Sequence, residues 1–225
     1  MSLAGRALPL GLPERLSPAR SVLVVVDMQN DFCAEGGYID RTMGKDVSAG
    51  AAILPQVQAL VRGAREAGVP VLWLRADYSH DRIPDSMALK LAARGIEAEC
   101  CKPGTWGFDW FGGLSPQAEE AVVTKHSYSG FIGTDMQAQL ARLGRRTLVF
   151  CGVQTQVCVE STLRDAHAHG YFCFAVQDAV GSHTPALHAA TLDNVRFLFG
   201  DVCSSAEVLS AWQAPSNTDS RAPSR

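Results

Sequence analysis

The chain of 225 residues has no run of five or six like charges, and its formal net charge is only -3. A polyanion or an anionic bilayer attracts concentrated positive charge, so nucleic acid and membrane are unexpected as partners. No apolar stretch reaches the roughly 18 residues needed to cross a bilayer. The first twenty residues place Arg6, Pro9, Pro13 and Glu14 where a secretion signal needs an unbroken apolar segment. They read as a loose N-terminal arm, with a cytoplasmic location as the default. The seven cysteines are odd in number and lack any C-x-x-C spacing. Neither a disulfide framework nor a thiolate zinc site is indicated. No G-x-G-x-x-G follows an apolar run, and Gly37 to Gly44-Lys45-Asp46 has the wrong spacing and no Ser or Thr after the lysine for a phosphate loop.

What is present is an alternation of strand and helix patterns between an arm at 1–20 and a Pro/Ser/Arg-rich tail at 214–225, without an interdomain linker. A single domain over 21–213 is expected. Val-rich runs such as SVLVVVD and RTLVFCG read as strands of a parallel sheet buried on both faces. The helix around AAILPQVQALVRGAREAG should carry Pro55 in its first turn and stop at Gly68. Thr134 and Gln137 have capping-box spacing for the next helix. VPVLWLRA, AVVTK, YFCFAVQD and a final RFLFG supply the other strands. The pattern predicts a three-layer α/β/α fold of Rossmann type, with a central, mostly parallel sheet of six strands. Residues 77–120 show little periodicity; a segment that long in a compact domain is expected to wall a pocket or cover it.

Three apolar runs end in reactive residues: Asp27 after VLVVV, Lys125 after AVVT, and Cys158 beyond LVFCGVQTQV. Ligands of open parallel sheets bind outside the carboxyl ends of the strands, so an acid, a cation and a thiol would share one edge. Cys158 opens an amphipathic stretch, CVESTLRDAHAHG, where a helix N-terminus would lower its pKa. Each residue has a plainer reading: a buried structural cysteine, a loop-capping aspartate, a lysine whose head reaches solvent from a strand end. His167, His169, His183 and His188 read as surface histidines, and Cys151 and Cys173 as inert core thiols.

With those motifs in hand, VVVDMQNDFC, VVTKHSYSGFIGTDM and CGVQTQVCVESTLRDAHAHGY resemble the isochorismatase-like cysteine hydrolases, in order over roughly 21–205. The resemblance implies an Asp27–Lys125–Cys158 catalytic triad and a cis peptide between Val153 and Gln154. It also implies a homo-oligomer, dimer or tetramer. SGFIGTDM with TQVCVESTLRDA is most similar to the ureidoacrylate and biuret amidohydrolase branch. The nicotinamidase branch carries an Asp/His metal cluster; the matching RADYSHDRIPDSM offers Asp77 and His80 without a third ligand, so no metal and no cofactor are expected.

The expected activity is hydrolysis of a C–N bond in a small ureido or carbamoyl compound through a thioester or thiocarbamate on Cys158. The backbone N–H groups of Gln154 and Cys158 would hold the oxyanion. Asn30, Phe32, Trp106, Tyr128, Phe131 and the Gln154 side chain are the expected substrate contacts. The alternatives are a nicotinamide- or maleamate-like carboxamide as substrate, or a non-enzymatic redox thiol at Cys158.

Overall fold

The computed structural model describes residues 2–3, 6–7 and 11–214. Its centre is a six-stranded sheet built from β1 (Ser21–Val26), β2 (Val71–Ala76), β3 (Ala121–Lys125), β4 (Thr147–Val153), β5 (Phe172–Gly181) and β6 (Asp201–Cys203). The spatial order is β3-β2-β1-β4-β5-β6, and every adjacent pair is parallel. The α/β expectation therefore holds, and "mostly parallel" becomes wholly parallel for this sheet. Parallel neighbours need crossovers, and these supply helices α1 (Ser48–Glu66), α2 (Asp85–Ala92), α3 (Met136–Leu143), α4 (Glu160–Ala168) and α5 (Pro185–Asn194), while α6 (Ser205–Gln213) follows the last strand.

Alternation along β1 shows how the sheet is sandwiched. Leu23 and Val25 join the core that contains Val57 and Leu60 of α1, while Val22, Val24 and Val26 meet Leu140 of α3 and Leu163 of α4. All six β1 residues are buried, which is why residues 22–26 are uniformly apolar rather than alternating. The chain order reverses between β1 and β4. Crossovers leave that junction in opposite directions, so a crevice opens at its carboxyl end.

Close approach at that junction fixes one glycine. Gly152 has φ +111, and a Cβ there would stand 2.0 Å from the Val26 carbonyl oxygen on β1. We expect Gly152→Ala to destabilise the protein by about 3–5 kcal/mol, the range of severe steric substitutions. Its thermal midpoint would drop by about 10 °C, and a melt within two degrees of wild type would show that the strands can separate.

Several elements depart from the sequence pattern. α1 begins at Ser48, so Pro55 lies inside it rather than in its first turn. The segment RFLF is helical: Val195–Phe199 continues α5, and the last strand starts at Asp201. Short apolar runs are ambiguous between the two states, and here Phe197 and Leu198 project outward. The Thr134 capping box does not form. α3 starts at Met136, and the Thr134 hydroxyl accepts from the Met136 N–H while donating to the Gly130 carbonyl. The arm is packed over its second half. Leu16 is fully buried, and the Ser21 and Thr147 hydroxyls donate to the carbonyls of Leu16 and Arg15. Residues 215–225 of the expected tail lie outside the described residues. Among the described residues, no helix is long and apolar enough to cross a membrane.

Candidate active site

β1 and β4 deliver Asp27 and the Cys158 turn to the two sides of the crevice, while β3 brings Lys125 from the sheet edge. Strands lie about 4.8 Å apart, so Lys125 starts about 10 Å from β1 and must reach across β2. Its register partner on β2 is Ala76, whose methyl leaves the path clear. The fully buried ammonium ends 2.8 Å from Asp27 Oδ2 and 3.3 Å from Cys158 Sγ. It also donates to Tyr78 Oη at 2.8 Å and to the Ser127 carbonyl at 3.2 Å.

An ammonium has three hydrogens. Tyr78, Ser127 and Cys158 can occupy all of them, and neither oxygen of Asp27 has a well-aimed hydrogen-bond donor despite the ion-pair distance. Lys125 thus holds the carboxylate by charge and leaves its lone pairs open to a proton from the thiol. Asp27 itself has φ +49, a left-handed conformation that Asp adopts more readily than most residues. The peptide between Val153 and Gln154 is cis.

Burial sets the protonation states. Desolvation raises the Asp27 pKa against the opposing pull of Lys125. Burial disfavours charge on Lys125 as well, but Asp27 and then Cys158 outweigh it and keep the ammonium above its ordinary value. The Cys158 thiol is pushed up to about 12, by desolvation first, with Lys125 opposing and Asp27 reinforcing. This corrects the expectation of a thiol acidified at a helix N-terminus. Cys158 lies within the irregular helical turn Thr155–Val159, ahead of α4, and its removal from water is the largest influence on the thiol. The resting site is a neutral thiol beside a carboxylate made more basic by burial.

A cavity of about 250 Å³ opens above these groups, lined by Asp27 and Cys158 together with Phe32, Tyr128 and Gln154. The other anticipated contacts fall elsewhere. Asn30 is buried and spends its amide N–H on the Trp106 carbonyl, while the Trp106 side chain is about half exposed. Phe131 stacks on His169 with ring centroids 4.9 Å apart and packs against the second core. None of these three lines the cavity. Gln154 divides its amide: Oε1 accepts from the His183 N–H while the residue still faces the cavity. His183, expected on the surface, is half-buried in the cavity wall.

Tyr78 is the functional residue that sequence reasoning missed. Its buried hydroxyl accepts from Lys125 and lies 3.5 Å from Cys158 Sγ. The only signal was its position two residues beyond β2, at the edge where Asp27 and Lys125 also end.

Asp77 and His80 do not form a ligand set. Asp77 Oδ1 accepts from the Ser79 hydroxyl and N–H, and His80 is exposed. Among the described residues, one buried group has metal-ligand types, Asp31 with Cys100 and Cys101, whose ligand atoms lie within 4.8 Å of one another. Both Asp31 oxygens already accept backbone N–H groups, from Tyr38 at 3.0 Å and Cys101 at 2.6 Å, so the carboxylate brackets two loops.

A family model, the isochorismatase domain, matches residues 21–207. Ureidoacrylate amidohydrolase RutB of Methylobacterium radiotolerans is 37% identical over 217 residues, covering 91% of this chain and 84% of that protein. The fold is similar to a cysteine hydrolase of Pseudomonas syringae pv. phaseolicola, with a TM-score of 0.77 and 27% identity over 88% of this chain and 95% of that one. It is also similar to the nicotinamidase PncA of Bacillus subtilis, with a TM-score of 0.70 and 25% identity over 82% and 99% of the two chains.

Proposed function

The chain belongs to the isochorismatase family, and on that footing we propose that it hydrolyses a small ureido or carbamoyl compound through a covalent intermediate on Cys158. It is a hydrolase of C–N bonds other than peptide bonds. The observation that supports the finer reading is the meeting of Asp27, Lys125 and Cys158, from three separate strand ends, under one cavity.

A thiol held neutral cannot attack until it loses its proton, and Asp27 is the base with free lone pairs beside it. As sulfur bonds to the carbonyl carbon, the S–H proton passes to Asp27. Lys125 and the Tyr78 hydroxyl stabilise the negative charge building on sulfur. The carbonyl oxygen becomes an oxyanion held by the Gln154 and Cys158 backbone N–H groups; one such donor can be worth about 3–4 kcal/mol in a transition state. The C–N bond then breaks as Asp27 returns the proton to the leaving nitrogen. Ammonia or an amine departs, leaving a thiocarbamate from a ureide or a thioester from a carboxamide. Asp27 takes a proton from water, whose oxygen attacks the same carbon and expels the sulfur, and the proton then passes from Asp27 to the departing sulfur to restore the thiol and the carboxylate. Asp27 relays each proton among sulfur, the leaving nitrogen and water, so the scheme calls for neither metal nor cofactor.

The high thiol pKa weighs against the redox alternative, because peroxide reacts with thiolate and a sensor cysteine is exposed and acidified. Ammonia release across paired ureides and carboxamides, with mass spectrometry of quenched enzyme, tests the reading. We expect turnover of ureides and a substrate-derived mass on the peptide containing Cys158. Turnover of carboxamides alone would replace the substrate class. An adduct on any other residue would remove the mechanism.

A further inference from the structure

The cavity's charge is unlike that of its floor. Asp27 is its one acidic lining residue, and Lys125 already neutralises it. The wall supplied by α2 and the turn after it presents Met87, Lys90, Leu91 and Arg94. These positions are spaced i, i+3, i+4 and i+7, one face of a helix. Two apolar and two cationic side chains therefore look at the same space. A surface helix ordinarily turns its cations away from its apolar stripe. Among the described residues neither Lys90 nor Arg94 has an ion pair or a side-chain hydrogen bond. Arg94 is near enough to Tyr38 and Tyr128 in the opposite wall to draw both phenol pKa values downward against the larger effect of burial. Burial lowers the pKa of His183, which also lines the cavity.

From this the geometry points to a substrate that is an amphiphilic anion. Its carbamoyl or amide carbon lies at Cys158, a branched or aromatic apolar body fills the space against Met43, Met87 and Leu91, and a carboxylate pairs with Arg94 and Lys90 at the rim. The inference rests on the hydrolase reading above and adds a selection rule to it. A small neutral ureide would leave two unpaired cations facing the cavity and apolar wall exposed to water. Lys90 and Arg94 are exposed at the rim, where a carboxylate offers Arg94 a bidentate partner of fixed geometry. Extra apolar volume against a hydrophobic wall discriminates by about 10- to 200-fold per methylene-sized difference.

The experiment compares N-carbamoyl-phenylalanine, which has both features, with N-carbamoylglycine, which lacks the apolar body, and phenethylurea, which lacks the carboxylate. The monoamide of 3-phenylglutarate and 3-phenylbutanamide form the equivalent carboxamide pair. We expect kcat/KM to favour the compound with both features by about tenfold or more over either truncated one. Arg94→Gln should raise KM for the anionic compounds about tenfold with kcat little changed, the signature of lost uniform binding. The KM effect should be at least fivefold smaller on the neutral partner, and Lys90→Gln should act in the same direction. Equal turnover of charged and neutral partners, or equal damage to both by the two substitutions, overturns the inference. If no compound is cleaved, the hydrolase reading of this site fails and binding decides the remainder. In that case calorimetry on Cys158→Ser should give heat with N-carbamoyl-phenylalanine that Arg94→Gln abolishes. Equal or absent binding of the anionic and neutral ureides sinks the anion site.

Discussion

Replacing Cys158 by serine should lower kcat by roughly 10⁴- to 10⁶-fold, the loss seen when a nucleophile acting as part of a unit is removed, while the thermal midpoint stays within a few degrees of wild type. The two side chains differ by one atom, and the site is already shaped around it, so folding has little reason to change. Chemistry has every reason. Asp27 is a carboxylate whose basicity burial has increased, and that suffices to share a thiol proton during attack. A hydroxyl is far less acidic than a thiol, and its alkoxide would be harder to form and harder to expel. Lys125 and Tyr78 are placed at 3.3 Å and 3.5 Å from the sulfur, distances suited to its larger radius. Steady-state ammonia release and a melting curve on the same preparation make the check. A serine variant within tenfold of wild type would mean that another group attacks.

How much of this was readable before coordinates depends on which residues carry a periodic signal. Asp27 and Lys125 stand at the ends of apolar runs, and a charge that interrupts a buried strand must go somewhere specific. Cys158 could be placed because a strand and an amphipathic helix flank it. Tyr78, Met87 and Arg94 reach the cavity from the connection after β2, where no strand spacing predicts side-chain direction. Asn30, Trp106 and Phe131 lie outside the cavity lining for the complementary reason. Proximity in sequence to a motif does not say which way a loop residue points, and Asn30 Nδ2 had a carbonyl to satisfy. The thiol's pKa was misjudged because helix position is visible in a sequence and depth of burial is not.

The same burial makes Lys125→Met a variant with two separable defects. Asp27 and Lys125 are both fully buried, so methionine leaves a carboxylate without compensation in the interior. Breaking such a pair from one side costs about 3–5 kcal/mol, and activity should fall by about 10³-fold or more because the sulfur loses its stabilising charge. The pH dependence of stability identifies the cause. Desolvation already raises the Asp27 pKa, and without Lys125 it rises further. Between the unfolded value near ~3.9 and that raised folded value, the native state binds the extra proton, so stability decreases as pH increases, by up to about 1.4 kcal/mol per unit. Lys125→Met should therefore be more stable at pH 5 than at pH 8. Adding Asp27→Asn removes the titrating group: the double variant should regain stability at pH 8 and lose the slope, yet remain inactive, since neither base nor cation is left. Urea melts of the two proteins at both pH values make the comparison. A single variant with no slope in that range would show that the Asp27 carboxylate finds another counter-charge or reaches water, and the account of a dry, charge-held base beside the thiol would fall with it.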